Sequence, residues 1–154
     1  MKNKIVVDRA HLKDIIADLQ SQGKKIIFTN GCFDLIHVGH VRYLGEAKNL
    51  GDVLVIGLNS DASVSSIKPG RPVTPEHERS EVLASLEMVD YVTIFGEDTP
   101  YELIKEIRPD VLVKGADWKV DDIVGKDLVK EVRTIPFIEG ISTSNIIKKI
   151  QALK

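Results

Sequence analysis

The run "TNGCFDLIHVGHVRYL" (29–44) sets His37 and His40 three residues apart around Gly39, with Cys32 and Asp34 just upstream. Imidazoles so placed can bind a metal, pack in a core, or donate hydrogen bonds to a phosphate. A zinc site built with Cys32 and Asp34 would have an odd spacing, and neither HExxH nor paired CxxC occurs. A hydrolase is poorly served: GxSxG is missing, and His11 and His77 fall in segments that read as helix. The Walker A pattern is missing too, which removes the P-loop enzymes. Cys32 alone reads as a small packed residue beside the site.

What these residues can do depends on the elements that hold them. "KIIFT" (25–29), "VLVIGLN" (53–59), "YVTIF" (91–95), "VLVKG" (111–115) and "VRTIPF" (132–137) are short β-branched runs, apolar on both faces. Strands buried in a parallel sheet have this composition. Helical spacing fills the gaps. Leu12, Ile15, Ile16 and Leu19 mark a first helix, with Asp8 as N-cap and Gly23 as its stop. Val41, Leu44 and Ala47 mark a second. "TPEHERSEVLASLE" predicts Thr74 at N-cap, Pro75 at N1 and Val82, Leu83 and Leu86 inward, and Thr99–Pro100 repeats that start. A last helix begins at Ser142 or Thr143, with Ile146, Ile147 and Ile150 as a buried stripe.

This alternation predicts an α/β fold: a Rossmann-like, open, parallel five-stranded sheet with helices on both faces. Ligands in such folds bind outside the carboxyl ends of the strands, where strand order reverses. The His37–His40 stretch lies at that level, between the first strand and the second helix. Gly31 and Gly39 let backbone approach a ligand there. The free amides and dipole of the helix start favour an anion, over which both imidazoles can lie. Their donation would strengthen as charge builds in a transition state, which suits nucleotidyl transfer by in-line attack on an α-phosphorus. Lys68, in the polar loop "SSIKPGRPV", could close over phosphates or be a solvated loop lysine. Ser142, Thr143 and Ser144 make a hydroxyl-rich helix start, a second candidate phosphate site beyond simple capping. Asp117 and Trp118 follow the fourth strand and would face the same crevice.

Size and composition agree with an ordinary globular domain. The 154 residues include 29% charged and 43% hydrophobic residues, and the net charge is −2. Nothing in that balance draws the chain to nucleic acid or to anionic lipid, so neither is expected as a partner. One cysteine fits a reducing compartment, and no apolar run approaches the ~18 residues of a membrane span. The N-terminal run "MKNKIVVDRAHL" lacks a long apolar signal-type segment. A cytoplasmic location is expected, as is a single domain over 1–154, with 1–23 a helical extension and 24–154 the catalytic core.

The stretch "NGCFDLIHVGH" resembles the HxGH signature of the nucleotidyltransferase superfamily in its cytidylyltransferase-like branch, and "ISTS" (141–144) resembles its second signature. "RPVTPEHER" (71–79) and "KGADW" (114–118) stand between them in the order of that branch. Two relatives compete. The glycerol-3-phosphate cytidylyltransferases share "FDLxHxGH", a Gly-x-Asp-Trp and an "EGIST" ending, but place an arginine shortly before it, where this chain has Phe137. The heptose 1-phosphate adenylyltransferases share "LGD", "NSDASV", "VDYV", "EDTP", "PDVLVKGAD" and "STSNIIKKIQ", although they more often read KGGDY for "KGADW".

The resemblance implies a nucleotidyltransferase moving AMP from ATP, as its Mg²⁺ complex, to a sugar 1-phosphate, giving ADP-heptose and pyrophosphate. CTP with glycerol 3-phosphate is the alternative, and a non-catalytic nucleotide-binding module is a third reading from another class. His37, His40 and Lys68 would be catalytic. Asn30, Gly31, Cys32, Phe33, Gly39, Arg79, Lys114, Gly115, Ile141, Ser142, Thr143 and Ser144 would hold the nucleotide. Asp34, Arg71, Asp117 and Trp118 would face the acceptor substrate, with an Asx-type turn as the competing role for Asp34. No metal ligand from the protein is expected. A homodimer is.

Overall fold

The β-branched runs become five strands: β1 (Ile26–Gly31), β2 (Val53–Asn59), β3 (Tyr91–Phe95), β4 (Val111–Gly115) and β5 (Glu131–Ile135). They form one parallel sheet in the order β3-β2-β1-β4-β5. The computed structural model describes residues 2–153. From the central β1 the chain winds one way through β2 and β3 and the other way through β4 and β5. The reversal therefore falls between β1 and β4, where the carboxyl ends of the strands part.

Alternating side chains divide the core in two, as the period of a strand demands. Ile27, Leu54 and Ile56 face α2 (Val38–Lys48) and α4 (Glu76–Ser85), meeting Leu44, Ala47, Leu83 and Ala84. Ile26, Phe28, Val53 and Val55 face α1 (Arg9–Ser21) and α5 (Tyr101–Ile107), meeting Leu12, Ile16, Leu103 and Ile104. The N-terminal segment thus supplies part of the core. Val6 also hydrogen-bonds the β3 carbonyl of Val92, and Arg9 grips Glu97 through two bonds of 2.8 and 3.1 Å. Aspartates secure the amino ends of the strands: Asp110 accepts from Ile26 N, Asp52 from Lys25 N, and Asp90 from Leu54 N.

Several local expectations hold and others shift. Asp8 caps α1 and Gly23 takes the left-handed conformation after it, at φ 82°. Helices α4 and α5 begin one residue later than expected, with Pro75 and Pro100 as caps. At Thr74 the reason is visible, because its backbone is spent on Asp34 and Arg79. Val82 is 45% exposed, since α4 turns Arg79, Ser80, Leu83 and Ala84 inward instead. A short helix α3 (Asp61–Ile67), capped by Ser60, precedes the loop that carries Lys68. The isoleucine stripe of α6 (Thr143–Ala152) is not buried; Ile150 is 56% exposed. Both faces of the sheet are already covered by the other helices. No helix among the described residues is long and apolar enough to cross a membrane.

Because Ile16 is fully buried between α1 and the sheet, Ile16→Ala should lower unfolding free energy by about 2–5 kcal/mol in urea titrations. A loss under 1 kcal/mol would contradict the packing role given to α1.

Candidate active site

The chain leaves β1 through a tight turn. Phe33 and Leu35 both sit in the left-handed region, at φ 46° and 48°, which costs a non-glycine residue on the order of 1–3 kcal/mol. Three long-range ties hold them there. Arg79, 1% exposed, donates to Cys32 O at 2.6 Å, Thr74 O at 2.8 Å and the Asp61 carboxylate at 2.8 Å. Asp34 accepts from Val73 N and Thr74 N at 2.8 and 2.9 Å. Thr143, from the start of α6, donates its hydroxyl to Asp34 O at 2.7 Å. Arg79 is therefore corrected from a nucleotide contact to a buried brace behind the turn. Asp34 lines the crevice but has both carboxylate oxygens engaged with the 73–74 backbone, so its partner is distant in sequence and not a local Asx turn.

The turn delivers His37 to the N-cap of α2. Its Nδ1 accepts from Gly39 N at 3.1 Å, and His40 Nδ1 accepts in turn from His37 N at 3.2 Å. The two rings stack with centroids 3.8 Å apart and planes 21° from parallel. Gly39 is required here: a Cβ would come within 2.9 Å of the His37 ring. An imidazole whose Nδ1 accepts a backbone N–H carries its single neutral-form proton on Nε2. Both rings therefore present an Nε2–H on the side away from the backbone, to the crevice they line. Burial lowers the pKa of His37 and, with the neighbouring His37 charge, pushes His40 down to about 4. At neutral pH both are uncharged donors.

The other wall comes from β4, β5 and α6. Lys114 is largely buried, and that burial pulls its pKa down to about 8. No carboxylate lies within salt-bridge distance of it among the described residues, and its Nζ stands 5.2 Å from the Trp118 ring centre. Gly115 makes room for Phe137, whose ring would come within 2.5 Å of a Cβ there. Ser142 caps α6 by accepting from Asn145 N, and Ser144 accepts from Arg71 at 3.2 Å. The three hydroxyls thus have three jobs: a cap, a tie to the first turn, and a seat for Arg71.

All these surfaces meet in one crevice of about 970 Å³ at the reversal point. It gathers every candidate named above except two: Arg79, buried behind the turn, and Asp117, which is exposed beside it. Among its walls are Arg42, Tyr43, Glu46, Asn59, Asp98 and Thr99, which the sequence reading passed over. Arg42, Tyr43 and Glu46 follow Gly39 at three-, four- and seven-residue steps, a helical spacing that could have found them. Asn59 ends β2, at the level where ligands bind.

The histidine geometry predicts a pH effect on stability. A histidine with a depressed folded pKa leaves the unfolded chain binding more protons between about pH 4 and 6.5, so stability falls as pH drops through that window. Urea midpoints measured from pH 7 to 4 should decline, and His40→Gln should flatten the decline; an equal slope in the variant would refute the assignment. Separately, Arg79→Met should cost about 3 kcal/mol of stability, mainly from the orphaned Cys32 and Thr74 carbonyls, since Asp61 is 41% exposed and its ion pair is solvent-screened. Thermal or urea unfolding unchanged within 0.5 kcal/mol would remove its bracing role.

Comparison with known proteins points the same way. The family model described as cytidylyltransferase-like matches residues 28–149. The chain is 54% identical over 150 residues to the bifunctional protein HldE of a Nitratiruptor species, covering 97% of this chain and 32% of that protein. It is 56% identical over 144 residues to the bifunctional protein HldE of Campylobacter concisus, covering 93% and 30%. The chain thus spans about a third of the length of these curated relatives. A lipopolysaccharide core biosynthesis protein from Thermoplasma volcanium GSS1 superposes with a TM-score of 0.63 at 29% identity, over 73% of this chain and 98% of that one. A paired-histidine helix start, a hydroxyl-bearing second helix start and a sequence match over most of the length converge on one assignment: the chain belongs to the cytidylyltransferase-like family.

Proposed function

We propose that the chain transfers a nucleoside monophosphate, AMP from ATP, to a sugar 1-phosphate of the heptose class, releasing pyrophosphate. The observation that carries the transfer chemistry is the pair of neutral imidazoles whose Nδ1 atoms are tied to backbone amides at the α2 N-terminus. The support for a heptose acceptor is the identity to the HldE proteins, bifunctional heptose kinase and adenylyltransferase enzymes. The third of their length that this chain spans is read as the adenylyltransferase part.

In this reading a phosphate oxygen of the acceptor attacks the α-phosphorus in line. The O–Pα bond forms as the Pα–O bond to the β-phosphate breaks, and that bridging oxygen departs with pyrophosphate. The protein contributes positioning and charge stabilisation. Nε2–H of His37 and His40 donate to α- and β-phosphate oxygens, and their bonds tighten as charge moves toward the leaving group. Unspent amides at the starts of α2 and α6 add partial positive charge. Lys114 and Lys68 supply the cations, and the polyanion offsets the cost of holding Lys114 charged in a buried place. The turn from Asn30 to Phe33 forms the floor under the nucleotide. The nucleotide enters as its Mg²⁺ complex, and the protein pairs as a homodimer.

A pyrophosphate-release screen of four nucleoside triphosphates against sugar and alditol phosphates tests this directly. Turnover is expected with ATP and D-glycero-D-manno-heptose 1-phosphate. Signal only with CTP and glycerol 3-phosphate would overturn the substrate assignment, and stoichiometric nucleotide binding without turnover would favour a sensing module. In the active pair, His37→Ala or His40→Ala should each lower kcat by on the order of 10²-fold, about 3 kcal/mol of lost transition-state stabilisation. Wild-type kcat in both single variants would remove the histidines from the chemistry.

A further inference from the structure

The crevice is not chemically uniform along its length. Near its middle and at the β4–α6 side it presents donors and cations: the two Nε2–H groups, Lys114, and Arg71 drawn toward Ser144. At the β2–β3 end the groups are different. Asn59 closes β2 opposite Phe95, with Asp98 and Thr99 at the rim.

Asn59 is 5% exposed, and its amide is oriented by the Ser63 hydroxyl, which is itself tied to a backbone carbonyl. Ser63 donates its hydroxyl proton to Ser60 O at 3.0 Å, so its oxygen can only accept from Asn59. It does so from Nδ2 at 3.2 Å, within a buried pair in which Ser63 is 4% exposed. The amide therefore cannot flip without losing that bond. Its Oδ1 has no donor among the described residues and belongs to a side chain that lines the crevice. That oxygen is open to the crevice, where a ligand hydroxyl can donate to it.

Phosphate oxygens are acceptors and would be repelled by Oδ1 and by the Asp98 carboxylate. A hydroxyl-rich group suits them. The nucleobase also carries donors, but the exposed aromatic rings that could stack on it lie at the β4 end: Trp118, with Lys114 Nζ over its ring, and Phe137, against Gly115. We infer that Asn59 is a specificity-determining residue for the acceptor: its fixed Oδ1 accepts from a hydroxyl of a polyol phosphate seated at the β2–β3 end. The inference rests on the transfer reaction proposed above but not on which polyol phosphate is used.

The test is steady-state pyrophosphate release by wild type and by Asn59→Leu, with whichever nucleotide and polyol phosphate pair turns over in the screen. Asn59→Leu should raise KM for the polyol phosphate at least tenfold and leave KM for the nucleotide within twofold. Asn59→Asp, which keeps an oxygen on the crevice side, should recover part of that loss, and it carries the comparison if the leucine variant fails to fold. Ser63→Ala frees the amide to flip and should raise the same KM by a smaller factor. An unchanged acceptor KM in Asn59→Leu, or a rise in nucleotide KM instead, overturns the assignment. Turnover with CTP and glycerol 3-phosphate alone sinks the heptose reading while leaving Asn59 open to the same measurement. Failure of every polyol phosphate in the screen overturns both.

Discussion

Two backbone amides at the start of α2 govern the site. By donating to the Nδ1 atoms of His37 and His40, they fix the tautomer of both rings, hold them stacked, and leave both remaining protons facing one crevice. A helix N-terminus has unsatisfied N–H groups that must find acceptors. Here the acceptors are the two histidine side chains proposed to meet the phosphates, so one interaction caps the helix and orients both rings. Burial keeps the rings neutral, so the pair avoids the repulsion two stacked imidazolium ions would suffer.

That arrangement requires His37 to arrive at the N-cap in one orientation, and the turn from β1 supplies it at the cost of two left-handed residues. The strain is met by partners drawn from far along the chain. Arg79 from α4, the 73–74 backbone through Asp34, and Thr143 from α6 all close on the same turn. The second signature is thereby part of the first: "ISTS" contributes a strut to the turn as well as a helix start to the opposite wall. Asp34 and Thr143, 109 positions apart in sequence, are joined in one rigid unit at the reversal point of the sheet. Electrostatic catalysis depends on preorganisation of this kind.

The sheet was legible because strands buried on both faces, as β2 is throughout, leave only one composition; all five β-branched runs became strands, although the edge strand β5 exposes Arg133 and Thr134. The crevice opens where the winding rule puts a ligand, but Gly39, read as room for a ligand, makes room for the His37 ring. What the residues spent their polar groups on was not legible. Arg79 and Asp34 stand in motifs and carry charge, so they read as ligand contacts; their bonds to backbone 39 to 47 residues away, which bury Arg79 and anchor Asp34 at the crevice, leave no local pattern. The stripe of α6 misled for a related reason, since periodicity tells which residues share a face but not whether a sheet face remains free to cover it. Asn59 escaped notice because a lone amide at a strand end has no pattern. Its meaning comes from Ser63 and Ser60, which lock it.

If the α2 amides set the histidine tautomers, nitrogen-15 NMR of the imidazoles reads it without any substrate. In protein labelled at histidine and held at pH 7, His37 and His40 should each show an unprotonated Nδ1 and a protonated Nε2, with their titrations displaced to the acid side of an ordinary histidine. A protonated Nδ1 on either ring, or a charged imidazolium at pH 7, would show that the amides do not prepare the donors.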